Sequence, residues 1–174
     1  IEPTVTITTA VTMDTNTKKG YDLINRRRKQ WVNEEEVRHA WMKGLEEALQ
    51  IDLDAERAKR DSSYNNVVIE FKGPGLFKGS ETSPKFIEAT DGRLLKYIPR
   101  LAAEQGLDEK DYIGIAIDGD HVGFAQVQDG KIVHQPLMPF STIAFQMVVD
   151  ALRSKFRRAI TSENLAEDFG HLSE

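Results

Sequence analysis

The sequence predicts a mixed α/β domain, on three observations. Residues 66–73 alternate in side-chain character as a strand does, and Gly73-Pro74-Gly75 ends them abruptly. Residues 34–50 and 84–104 carry apolar positions at helical period behind helix-starting residues. Residues 112–137 alternate around two Asp-Gly turns and read as a β meander. Helix, strands, helix, strands and a last helix follow in that order, which fits an α/β or α+β class.

Taken in order, residues 1–17 are Thr-rich and β-branched and read as an edge strand or a disordered lead-in. In the first helix, Asn33 is the N-cap with Glu36 three residues later, as in a capping box. Val37, Ala40, Trp41, Gly44, Leu45, Ala48 and Leu49 share one face of it. Residues 51–61 are read as a strand from the alternation Ile51-Asp52-Leu53, although Ala55 to Lys59 also suits a helix. In the strand that follows, Val67, Ile69 and Phe71 point one way and Val68, Glu70 and Lys72 the other. The second helix has Ser83 as N-cap, Pro84 at its first position and Gly106 as C-cap, with kinks expected at Gly92 and Pro99. The meander runs 112–117, 121–127 and 131–137. A third helix begins near Ser141 and buries Phe145, Val148, Val149, Leu152 and Phe156.

A chain of 174 residues suits one domain with a real core. No apolar run approaches the length of a membrane helix, and no secretory pattern opens the chain. Cysteine is absent, which excludes disulfides and thiolate metal sites and fits a cytoplasmic setting. The net charge of −5 speaks against nucleic acid as a sum, but the basic residues are clustered. One cluster is Lys18, Lys19 and Arg26 to Lys29, a second is Arg93, Lys96 and Arg100, and a third is Arg153, Lys155, Arg157 and Arg158. For any one of them a solvated surface is the simpler reading.

Chemistry concentrates on the strand. Glu70 and Lys72, two residues apart, share one face, and the apolar set opposite pins the register. Asn65-Asn66 suits a two-residue hairpin turn, because Asn tolerates positive φ. That turn pairs Tyr64 with Val67 and sets Asp61 across from Glu70, with Cβ atoms roughly 4.5–5.5 Å apart. Two carboxylates so close repel unless neutralised, and a divalent cation with oxygen ligands, magnesium above all, does this well. Lys72 beside them is placed to orient or deprotonate an attacking water. Glu34 falls on the apolar face of the first helix. An outer metal ligand and a simple complement to the helix dipole are equally good readings of it.

The run from Arg60 to Lys72, with Asp61, Asn65-Asn66 and Val67-Val68-Ile69-Glu70-Phe71-Lys72, resembles the signature of PD-(D/E)xK nucleases. It is most similar to the N-terminal nuclease domains of restriction enzymes that also carry methyltransferase or motor domains. The resemblance covers about residues 33–118. It implies a restriction-endonuclease-like core: a central mixed sheet flanked by helices, here with an added β meander and C-terminal helix. It also implies a magnesium-dependent endonuclease, with manganese as a substitute. Asp61, Glu70 and Lys72 would be catalytic. Asp61, Glu70 and the Phe71 backbone carbonyl would hold the metal, with Glu34 assisting. Lys59, Arg60, Lys78, Arg93, Lys96, Tyr97 and Arg100 would contact DNA. Two departures stand out. Arg60 replaces the usual Pro before the Asp, and Arg93 stands four residues before Tyr97 where exonuclease-like relatives have Gln. Residues 1–32 then read as an N-terminal extension, 33–160 as the nuclease domain and 161–174 as a linker to methyltransferase, target-recognition or motor domains. A transient dimer would serve double-strand cleavage.

Other constellations are weaker. Asp118, Asp120 and His121 are more simply a hairpin turn than a second metal site. Gly73-Pro74-Gly75 lacks the Lys-Ser/Thr ending of a phosphate loop. Trp41 fits the core rather than base stacking, and His39, His134 and His171 show no ligand spacing. A non-catalytic DNA-binding or structural module, with Glu70 and Lys72 as an ion pair, is the alternative function. A carboxylate-pair glycosidase is disfavoured by the lysine between the acids.

Overall fold

A computed structural model describes residues 13–59 and 63–153, with side chains omitted for 57–59. The expectations for Arg60, Asp61, Phe156, the lead-in before residue 13 and the 161–174 linker lie outside these residues.

The first helix met is one the sequence reading did not anticipate. Helix α1, Thr15–Arg27, starts where the Asp14 carboxylate accepts the Thr17 amide at 2.7 Å. Thr17, Gly20 and Ile24 are its buried residues, and of these only Ile24 is a large apolar side chain. It packs on helix α2, Glu34–Leu49, backbone to backbone: a Cβ added to Gly44 would lie 2.8 Å from the Gly20 carbonyl oxygen. Asn33 caps α2 by accepting the Glu36 amide at 2.9 Å. The Glu36 carboxylate reaches one residue further back than in a standard capping box, to the Val32 amide at 2.6 Å. The buried face includes Val37, Ala40, Trp41, Gly44, Leu45 and Ala48, as the periodicity predicts.

Residues 53–59 correct the expected strand, for helix α3, Leu53–Lys59, occupies them. Asp52 accepts the Ala55 amide at 3.1 Å and so starts a helix, and a single apolar-polar-apolar step was too short to specify a strand. The Asn65-Asn66 turn does form. Both residues have positive φ, 48° and 62°, and Tyr64 and Val67 exchange both backbone hydrogen bonds.

Strand β1, Val67–Phe71, runs parallel to β2, Ile113–Ile117. Antiparallel pairs then join β2 to β3, His121–Gln128, and β3 to β4, Lys131–His134, while β5, Met138–Pro139, pairs with the start of β3. The third stretch of the meander, expected over 131–137, is a strand only as far as His134, and β5 follows as a separate short strand. The result is a mixed five-stranded sheet flanked by helices. On one face Val67, Phe71, Ile115 and Ile117 join Ile24, Trp41, Leu45 and residues of helix α6, Thr142–Arg153, among them Phe145, Val148 and Leu152. On the other face Val68, Ala125 and Val127 meet Leu94, Ile98 and Leu101.

Those last three residues belong to the crossover between β1 and β2. It opens with a helical turn, α4, Pro84–Ile87, capped by Ser83. A π-helical segment, Glu88–Leu94, follows, then α5, Leu95–Gln105, which ends at Gly106 with φ 69°. The Leu95 amide reaches Thr90 O, five residues back. The Thr90 hydroxyl donates to Phe86 O at 3.0 Å, competing for the carbonyl of the preceding turn.

Candidate functional site

The site grows from the end of β1. The pairing Glu70↔Ala116 and the bond from Lys72 N to Ile117 O, 2.8 Å, set the strand in register. Alternation then turns Glu70 and Lys72 to the face covered by the π-helical segment. Asn66 O and Lys72 N bond toward β2, and Val67 bonds through both backbone groups to Tyr64 on the other side. By the same alternation the Phe71 carbonyl points to that outer edge.

Lys72 is 4% exposed. Its ammonium donates to Glu88 Oε2 at 2.8 Å and stands 3.7 Å from Glu70 Oε2. Glu70 is nearly buried, and its Oε2 also faces Arg93 Nε at 3.6 Å. Burial pushes the Glu70 carboxyl above its ordinary range. Lys72 and Arg93 oppose this, Glu34 adds to it as a like charge, and Arg38 opposes it. Glu88 behaves oppositely: hydrogen bonds from Lys72 and Lys85 hold it down to about 2. A chain of alternating charge results, Lys85–Glu88–Lys72–Glu70–Arg93, which ends where Arg93 donates to the Tyr97 hydroxyl at 3.1 Å.

The structure thus brings together Glu70, Lys72, Arg93 and Tyr97, with Glu34 near enough to act on Glu70. Glu34 is half exposed and pairs with Arg38 at 3.2 Å. Arg100 lies over the Tyr97 ring at 5.3 Å, and Lys96 is exposed on the same helix. Lys78 is set apart, exposed in the 73–83 loop with φ 52°. Lys59 ends α3, and Asp61 and Arg60 lie outside the described residues. Glu88 and Arg38 were missed. Arg38 was visible as the i+4 partner of Glu34, whereas no spacing rule on an α-helix would have brought Glu88 to Lys72 together with Arg93.

Of the expected metal ligands, the described residues include Glu70, the Phe71 carbonyl and Glu34, and Asp61 lies outside them. Carboxylate and carbonyl oxygens are of the kind that magnesium takes, and Glu70 Oε2 faces Lys72 and Arg93. A separate trio, Glu46, Asp52 and Asp54, has carboxylate oxygens within 4.8 Å of one another. Glu46 accepts the Leu53 amide at 3.0 Å and Asp52 the Ala55 amide, so two of the three are helix caps for α3. Asp118, weighed as a metal ligand, is buried and accepts the amides of Phe77, Asp120 and His121 at 2.7–3.0 Å. Burial raises its carboxyl against those donors. It ties the 73–83 loop to the turn after β2. No helix among the described residues is long and apolar enough to cross a membrane.

Comparison with family models, with curated proteins and with solved structures finds no match to this chain.

Proposed function

We propose that the chain is a metal-dependent deoxyribonuclease domain of the PD-(D/E)xK type, built on a restriction-endonuclease-like core within a larger restriction-modification enzyme. The observation that carries this reading is the pairing of a nearly buried Glu70 with a buried Lys72 on one face of β1. A sheet position that desolvates both an acid and an ammonium is costly for a fold and useful for catalysis. Glu70 and the Phe71 carbonyl would hold magnesium or manganese with Asp61, and Glu34 would assist. When bound, the metal would polarise the scissile phosphate and acidify a water. Lys72 would orient that water and offset charge developing on the phosphate. Arg93, Lys96 and Arg100, around Tyr97, offer a cationic strip for the DNA backbone and no evident reader of base sequence. Target choice would then fall to linked methyltransferase, target-recognition or motor domains, and paired cuts to a transient dimer. Cytoplasmic placement belongs to the same proposal.

Incubation of supercoiled plasmid with the chain and magnesium tests it. Glu70→Gln and Lys72→Ala are each expected to lower cleavage by about 10²-fold or more. Nicking by both variants at the parental rate would sink the reading. The closed Lys72–Glu88 pair favours one rival, a non-catalytic DNA-binding module in which the same charges are purely structural. That module would bind DNA without cutting and take up no metal at Glu70.

A further inference from the structure

We infer that Arg93 is a positioning residue that competes with the metal for Glu70, so that cation binding and release of the guanidinium are linked. The inference rests on the nuclease reading of Glu70.

Three observations carry it. Arg93 and Lys72 both face the same oxygen, Glu70 Oε2, at 3.6 and 3.7 Å, so that oxygen already has two cations. The two differ in burial and anchoring. Lys72 is buried and anchored by Glu88 at 2.8 Å, whereas the Arg93 side chain is 49% exposed and lies beyond hydrogen-bonding distance of Glu70. Arg93 also has a second anchor away from the carboxylate, the Tyr97 hydroxyl and ring. It can therefore leave Glu70 without being cast loose.

The π-helical segment explains how Arg93 arrives there. Glu88 and Arg93 are five residues apart, and on a regular α-helix they would diverge by about 140°. The wider turn between Glu88 and Leu94, with its i−5 hydrogen bond, lets both face the end of β1, one on Lys72 and the other on Glu70. A divalent ion at Glu70 would meet the guanidinium at close range. Two like charges so placed repel, and the exposed, doubly anchored arginine is the one that yields.

Titration calorimetry of the full 174-residue chain with manganese tests this, counting only the binding that Glu70→Gln removes. Arg93→Gln is expected to tighten that binding by about three- to tenfold at low salt, with the gain shrinking as salt is added. Arg93→Lys, which keeps a charge on a shorter and less directional group, should fall between the two. Lys131→Gln, a charge removed from exposed β4, should leave the affinity unchanged and so exclude a net-charge effect. Equal or weaker binding by Arg93→Gln, in a variant whose melting curve is cooperative, overturns the inference while leaving the nuclease reading intact. If neither parent nor variant binds manganese in a Glu70-dependent way, both fall together.

Discussion

Glu70 and Glu88 flank the same ammonium yet are pushed in opposite directions, and the difference is solvent. Glu70 loses water faster than Lys72 and Arg93 repay it, so its carboxyl rises. Glu88 stays exposed and gains two lysine hydrogen bonds, so it falls to about 2. The consequences for stability have opposite signs. A depressed carboxyl stabilises the fold above its unfolded value and loses that contribution as pH falls from about 4.5 toward 2. Glu88→Gln should flatten acid destabilisation across that window, seen as a smaller drop in Tm between pH 5 and about 2.5. A raised carboxyl favours the protonated fold, and its contribution fades as pH rises through the folded value. Glu70→Gln should therefore melt no lower than the parent at neutral pH, and a large fall in Tm would contradict the burial argument. The Glu70-Lys72 pair was legible from its spacing on a strand, whereas Glu88 was not, because its partner depends on a helical turn of unusual pitch.

Among the elements, the Asn65-Asn66 turn was the most readable. Two consecutive residues that tolerate positive φ, set before an alternating run, leave few other geometries. Asn66→Val should cost about 1–2 kcal/mol in chemical denaturation because a β-branched residue resists φ 62°, and Asn66→Gly should be near neutral. Helix α3 was less readable, since Leu53 alternates with polar neighbours over three residues only and Asp52 serves either a turn or a cap. Helix α1 was the least readable. Its contact with α2 is made by Gly20 and Gly44, and missing side chains leave no hydrophobic signal even though they allow the closest approach. The π-helical segment contains Gly92, where a kink was expected and a widened turn is found, whereas Pro99 lies inside α5. The Thr90 hydroxyl, bonded to Phe86 O, gives it a local cause.

For the whole molecule, the mixed sheet is covered by helices on both faces, and α1 takes part in that cover. Ile24 is fully buried in the same cluster as Trp41 and Phe145, and the Tyr21 ring stacks on Phe140 at 5.0 Å. A chain shortened to begin at residue 33 should lose those contacts at once. We expect it to melt at least 10 °C lower than the parent or to lose cooperativity, because several kcal/mol of apolar burial go with the helix. A cooperative melt at the parental temperature would show residues 1–32 to be dispensable to the domain.

Period and punctuation, both local properties, were enough for the sequence by itself to determine the class, the buried faces of α2 and α6, the facing of Glu70 and Lys72 on β1 and the turn before it. Only the tertiary structure decided that α1 belongs to the core, that β1 lies parallel to β2, and that Glu88 and Arg93 close on Lys72 and Glu70. Each of these depends on groups far apart in the chain meeting through shape or charge, and such meetings leave no repeat in the residues that make them.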